Sequence, residues 1–151
     1  MKRIATLAVA VAAAGTLFSG AAHAATASEE LPNVSVSGTA IGTFQPGTTG
    51  TYVIDVEKSG GPLYSQLFKL DAYVNKGQVV TGVEHVTNNC EYAFFAATCD
   101  ILGLQQKPKQ QVKVHVKVLS SATGPMTLDV SGITSVTEQT LDDNRVIING
   151  S

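Results

Sequence analysis

Gln111-Val112-Lys113-Val114-His115-Val116-Lys117-Val118-Leu119 sets a valine at every second position and a polar or charged side chain at most of the others. A period of two belongs to a β-strand with one face buried and one face wet, because successive side chains of a strand point to opposite sides. A helix would need apolar residues three and four apart. The same theme recurs on both sides of this stretch. Tyr52, Ile54 and Val56 alternate with Val53, Asp55 and Glu57, and Phe68, Leu70, Ala72 and Val74 frame Lys69 and Asp71. Met126, Leu128 and Val130 alternate with Thr127 and Asp129.

Turn chemistry punctuates these runs at Pro46-Gly47, Ser59-Gly60-Gly61-Pro62, Asn75-Lys76-Gly77 and Thr123-Gly124-Pro125. Further strands are predicted over Asn33–Phe44, Gln78–Thr87 and Arg145–Ile148, the last at an edge, and Gly132 is read as a bend. No apolar stripe of helical period exceeds two turns beyond the N-terminal segment. About seven to nine short strands in one chain of this length predict an all-β, immunoglobulin-like sandwich of two antiparallel sheets, with a closed barrel as the alternative. No fixed-period repeat is present, so one domain is expected.

The N-terminus reads as an export signal. Lys2 and Arg3 precede an apolar run from Ile4 to Phe18, and Ala22-His23-Ala24 supplies the small-x-small pattern before a cleavage site after Ala24. The run falls short of the roughly 20 residues that span a bilayer. Residues 1–24 are therefore expected to be a cleaved secretory signal peptide and residues 25–151 a single soluble domain released outside the cell, with no membrane anchor after cleavage. Losing Lys2 and Arg3 leaves 8 basic against 12 acidic residues, a formal charge of −4. No basic stripe with interleaved aromatics appears, which argues against a nucleic-acid partner.

Cys90 and Cys99 are the only cysteines. In an oxidising compartment a pair so close in sequence predicts one disulfide, worth about 2.7 kcal/mol by the chain-entropy argument. Free thiols or half a metal site are the alternatives, though the spacing does not match a zinc knuckle. If the two cysteines face each other across antiparallel strands, Phe94 and Phe95 fall at the hairpin tip, with Tyr92 beside them. Two readings are open for these rings. They form an exposed, braced contact surface, or they fold back to plug the end of the sandwich, which the absence of Trp and the scarcity of aromatics favour.

Residues 50–148 resemble a known bacterial domain. The stretch Gly50–Pro62 is similar to its opening strand and turn, Cys90 and Cys99 to its cysteine hairpin, Ile101–Val118 to its polar loop and Val-x-Val-x-Val strand, and Leu141-Asp142-Asp143-Asn144 to its Asp/Asn-rich close. The family is the immunoglobulin-like repeat of bacterial envelope proteins, of the cell-adhesion-related (CARDB) type. The resemblance implies a β-sandwich spacer or binding module and carries over no catalytic residue. Asn75-Lys76-Gly77 replaces the family's Pro-x-Gly turn, and Glu57 or Lys58 stands at its strand-end Asn. A single copy without a wall anchor argues against a tethered adhesin.

Catalysis is not expected. The two histidines beyond the signal, His85 and His115, lie in Val-rich strands, and no nucleophile elbow or phosphate-cradling loop is present. A triad assembled only in three dimensions stays open. Lys113, His115 and Lys117 share one strand face, a second binding candidate for an anionic wall polymer or simply a solvated face that deters edge pairing. Asp142-Asp143-Asn144 offers oxygen ligands but reads as a turn, so neither metal nor cofactor is expected. The leading reading is a secreted, non-catalytic binding or structural module of the envelope or extracellular space, its partner an unknown protein or cell-wall polymer. The alternative is a small-protein inhibitor or ligand carrier using the Cys90–Cys99 loop.

Overall fold

The computed structural model describes residues 29–63, 67–86 and 89–151. The export segment and its cleavage point lie outside the described residues. The strand of alternating valines is β7 (Lys109–Val118), with Val112, Val114, Val116 and Val118 fully buried. Burying each valine removes apolar surface worth about 1.5–3 kcal/mol, so this one strand commits its whole inner face to the core.

The other strands are β1 (Pro32–Gly42), β2 (Thr49–Gly60), β3 (Leu67–Val74), β4 (Gln78–His85), β5 (Cys90–Ala93), β6 (Ala96–Leu102), β8 (Met126–Thr134) and β9 (Arg145–Gly150). All pairing among them is antiparallel. They form two sheets, ordered β1-β2-β7-β4 and β5-β6-β3-β8-β9. The inner faces meet in one core that includes Val34, Ile54, Phe68, Leu70, Ile101, Leu128 and Val130. Each sheet keeps its own edges, so the expected immunoglobulin-like sandwich holds and the closed barrel does not. The last strand, β9, is an edge as its sequence implied. A single 3-10 turn at Asp142–Asn144 is the one helical element among the described residues.

Three local expectations change. The predicted bend at Gly132 is absent: β8 runs through it, paired with Leu70, and the Phe68 ring occupies the space a Cβ would need. The glycine serves packing, where the sequence suggested punctuation. Likewise β2 continues through Ser59 and Gly60, because β1 reaches back to pair Pro32 with Gly60. Strand β4 stops at His85 and carries a register shift between Val80 and Gly82. A bulge of this kind puts one extra residue in one strand and so reverses which side chains face inward beyond it. Gln78 and Val80 point into the core before the shift, and His85 does so after it, leaving Glu84 outside.

Candidate functional site

The hairpin β5–β6 places Cys90 directly opposite Cys99, and the two are joined in a disulfide. Cys99 lies in the core, so the bridge fastens edge strand β5 to the packed interior. Ala93 pairs with Ala96, leaving Phe94 and Phe95 as the two-residue tip. The tip is also held by its own carbonyls: Val80 N donates to Phe94 O at 2.9 Å and Val74 N to Phe95 O at 3.0 Å. Its backbone is thus tied to the adjoining ends of β3 and β4.

The rings point away from these anchors. Phe94 is 73% exposed, Phe95 56% and Tyr92 54%, and the two phenylalanine centroids lie 6.2 Å apart. The plug reading therefore fails. Core demand at this end is met by other residues, since the buried Phe44 ring packs at a tilt on Tyr52 with centroids 4.8 Å apart and lies against Gly50 and Gly150. Tyr92 shares the inward face of the hairpin with Cys90 and Ala97 but stays open to solvent, because β5 is the sheet's edge. Tyr73, paired with Ala96 next to the tip, is exposed on the outer face of β3.

The lysine face has a mixed character. Lys113, His115 and Lys117 do share the outer face of β7, as read from the alternation. Register sets Glu84 opposite Lys113 and Glu57 opposite Lys109. Lys113 Nζ lies 3.8 Å from Glu84 Oε2, and Lys109 Nζ lies 3.0 Å from Glu57 Oε1. Cross-strand opposite charges of this kind contribute a few tenths to about 1 kcal/mol and neutralise the field an anionic polymer would need.

His115 is flanked on both sides. Thr51 Oγ1 lies 2.9 Å from Nδ1, and Glu84 Oε1 lies 3.0 Å from Nε2 without hydrogen-bond alignment. The order hydroxyl–imidazole–carboxylate is that of a hydrolytic triad. The setting is not: Thr51 and His115 lie on β2 and β7, the two inner strands of their sheet, whose backbone N–H groups pair with neighbours on either side. His85 is apart from this group, buried, with Nε2 2.9 Å from Gln110 Oε1. Burial lowers its pKa, and the Gln110 contact opposes that shift.

Asp142-Asp143-Asn144 forms the 3-10 turn, consistent with the turn reading of this stretch. Glu138, four residues before Asp142, turns inward and is buried. Glu138 Oε2 accepts from Val34 N and from Asn144 Nδ2, both at 3.1 Å, and Asp143 Oδ2 accepts from Asn33 Nδ2 at 2.7 Å. A glutamate in a polar loop carries no sequence signal of burial, and only its contact with the first residues of β1 reveals it.

No family model matches the chain, and no curated protein matches it in sequence. Among solved structures the chain is similar to the major pilin subunit of Bacillus cereus, with 14% identity and a TM-score of 0.49 over 79% of this chain and 41% of the pilin. It thus spans well under half the length of that protein. It is also similar to the sixth cohesin of scaffoldin B from Acetivibrio cellulolyticus, with 10% identity and a TM-score of 0.45 over 78% of this chain and 99% of the cohesin. The collagen-binding domain of a Staphylococcus aureus adhesin gives 6% identity and a TM-score of 0.44 over 78% of this chain and 97% of that domain.

Proposed function

We propose that this chain is an exported, non-catalytic immunoglobulin-like module that binds a protein partner through the braced tip formed by Tyr92, Phe94 and Phe95. The observation that carries the reading is an exposed pair of phenylalanines on a backbone fixed by a disulfide and two backbone hydrogen bonds. Apolar rings in water lower solubility, so a rigid aromatic tip suits an occupant that covers it. Fixing the backbone beforehand reduces the entropy lost on association. Signal cleavage after Ala24 and membership of the CARDB-type envelope repeats belong to the same proposal. Lys113, His115 and Lys117 form the secondary surface, weakened by the acidic residues among them.

A pull-down tests this. Wild-type protein and a Phe94→Ser, Phe95→Ser double variant are presented to envelope and culture-fluid fractions of the source organism. Because both rings are exposed, the variant is expected to keep its stability within about 0.5 kcal/mol per substitution. A protein retained by the wild type and lost by the equally stable variant supports the tip. Equal capture by both sinks it and moves attention to the lysine face. If the retained protein is a secreted hydrolase that loses activity in the complex, the inhibitor reading replaces adhesion.

A further inference from the structure

We infer that the loop between β8 and β9 holds a calcium site built from Glu138, Asp143 and Asn144. Glu138 is only 7% exposed and Asn144 only 6%. Each has one polar atom spent on a neighbour and one left over. Glu138 Oε2 takes hydrogen bonds from Val34 N and Asn144 Nδ2, while Oε1 is buried with no donor. Asn144 gives its Nδ2 to that glutamate, so its Oδ1 also lies buried without a donor. Asp143 repeats the pattern: Oδ2 accepts from Asn33, and Oδ1 has no donor.

All three leftover atoms are oxygens, two of them on carboxylates. Orphaned buried acceptors are rare in folded proteins, and each costs free energy unless something positive meets it. The residues are linked to one another by one hydrogen bond and one peptide bond, and to consecutive residues of β1 by two more hydrogen bonds. Further bonds pin the loop, from Gln139 N to Pro32 O at 3.0 Å and from Thr140 N to Asn33 Oδ1 at 3.1 Å. The oxygens are therefore held by a fixed scaffold.

The donor set selects the ion. Hard carboxylate and amide oxygens suit Ca²⁺, which tolerates irregular geometry and completes its shell with carbonyls and water, whereas zinc and copper favour nitrogen and sulfur. Among the described residues no three His, Cys, Asp or Glu side chains come together as a metal cluster, and here the third ligand is an amide. Two carboxylates place the affinity in the range of about 10⁻⁴–10⁻³ M found for extracellular modules. Glu138 and Asn144 also line a surface groove with Thr134, Val136 and Leu141, which offers an entry path.

Thermal unfolding and amide NMR shifts of the whole chain, in EDTA and then in 10 mM CaCl2, test the site. Saturation at this affinity raises the folding equilibrium constant roughly 10- to 100-fold by linkage, with shifts centred on Val34 and residues 138–144. Matching MgCl2 is expected to do less, since Mg²⁺ demands stricter geometry. Glu138→Gln and, separately, Asp143→Asn should remove the calcium response while leaving the protein folded in EDTA. Identical wild-type behaviour with and without calcium overturns the site. So does a calcium response that survives both substitutions, or one whose shifts fall elsewhere in the domain.

Discussion

At the end of the sandwich closed by the Asn75–Gly77 turn, buried polar groups form a complete circuit. Tyr52 Oη donates to Gln78 Oε1 at 2.9 Å, and Gln78 Nε2 donates to Asn75 Oδ1 at 2.7 Å and to Thr127 O at 3.1 Å. Asn75 Nδ2 then donates to Pro125 O at 2.7 Å. Burial pushes the Tyr52 phenol up to about 12 against the opposing effect of Gln78, so it stays a neutral donor. At the other end, about 20 Å along β1, the Glu138–Asp143–Asn144 group leaves three acceptors without donors. A circuit that satisfies itself is architecture, whereas one that ends on acceptors alone asks for something from outside. The aromatic tip is anchored at the satisfied end, where Val74 and Val80 hold it. That rigidity is what a preformed contact surface requires.

The largest expected effect attacks the closed circuit. Gln78→Ala strands the Tyr52 hydroxyl in the core and opens a void, and should cost about 3 kcal/mol in denaturant unfolding. Tyr52→Phe, which removes the hydroxyl itself, should cost nearer 1 kcal/mol. A Gln78→Ala loss no larger than that of Tyr52→Phe would dissolve the contrast between the two ends. Next comes the brace. Reducing Cys90–Cys99 with dithiothreitol should lower stability by about 2.7 kcal/mol on the chain-entropy estimate. It should also raise amide exchange at the tip before the strands that carry Tyr52 and Gln78 are affected.

A smaller effect concerns pH. The buried His85 binds a proton less readily in the folded chain than in the unfolded one. Its contribution is complete above the ordinary histidine value of about 6.5 and is lost as pH falls from there through the lower folded value. Melting temperature should therefore drop between pH 7.5 and 5 in the wild type, and by less in His85→Gln. Equal slopes would show that His85 does not couple to folding.

Much of the architecture was legible because alternation is a local property. Val112, Val114, Val116 and Val118 mark an inward face by their spacing, and the midpoint between Cys90 and Cys99 places the hairpin tip at Phe94 and Phe95. The misreadings have a common origin in contacts between distant segments. Gly132 looked like a bend because a glycine's need for space is invisible until Phe68 is laid across it. The rings of the tip looked like core because composition counts aromatics without saying which end of the sandwich Phe44 and Tyr52 already fill. Glu138 carries no local signal of burial, because a glutamate in a polar loop is usually solvated.

By itself, then, the sequence determined most of the strands, the hairpin that pairs its two cysteines and which valines of β7 face inward. These follow from side-chain period and turn chemistry within a few residues. Tertiary structure alone decided which of Glu84 and His85 is buried, since one extra residue in β4 reverses the facing of everything after it. It also decided that Phe94 and Phe95 stay in water and that three oxygens near Val34 lack donors. Burial and hydrogen-bond satisfaction depend on what arrives from the far side of the fold, and no local pattern encodes that.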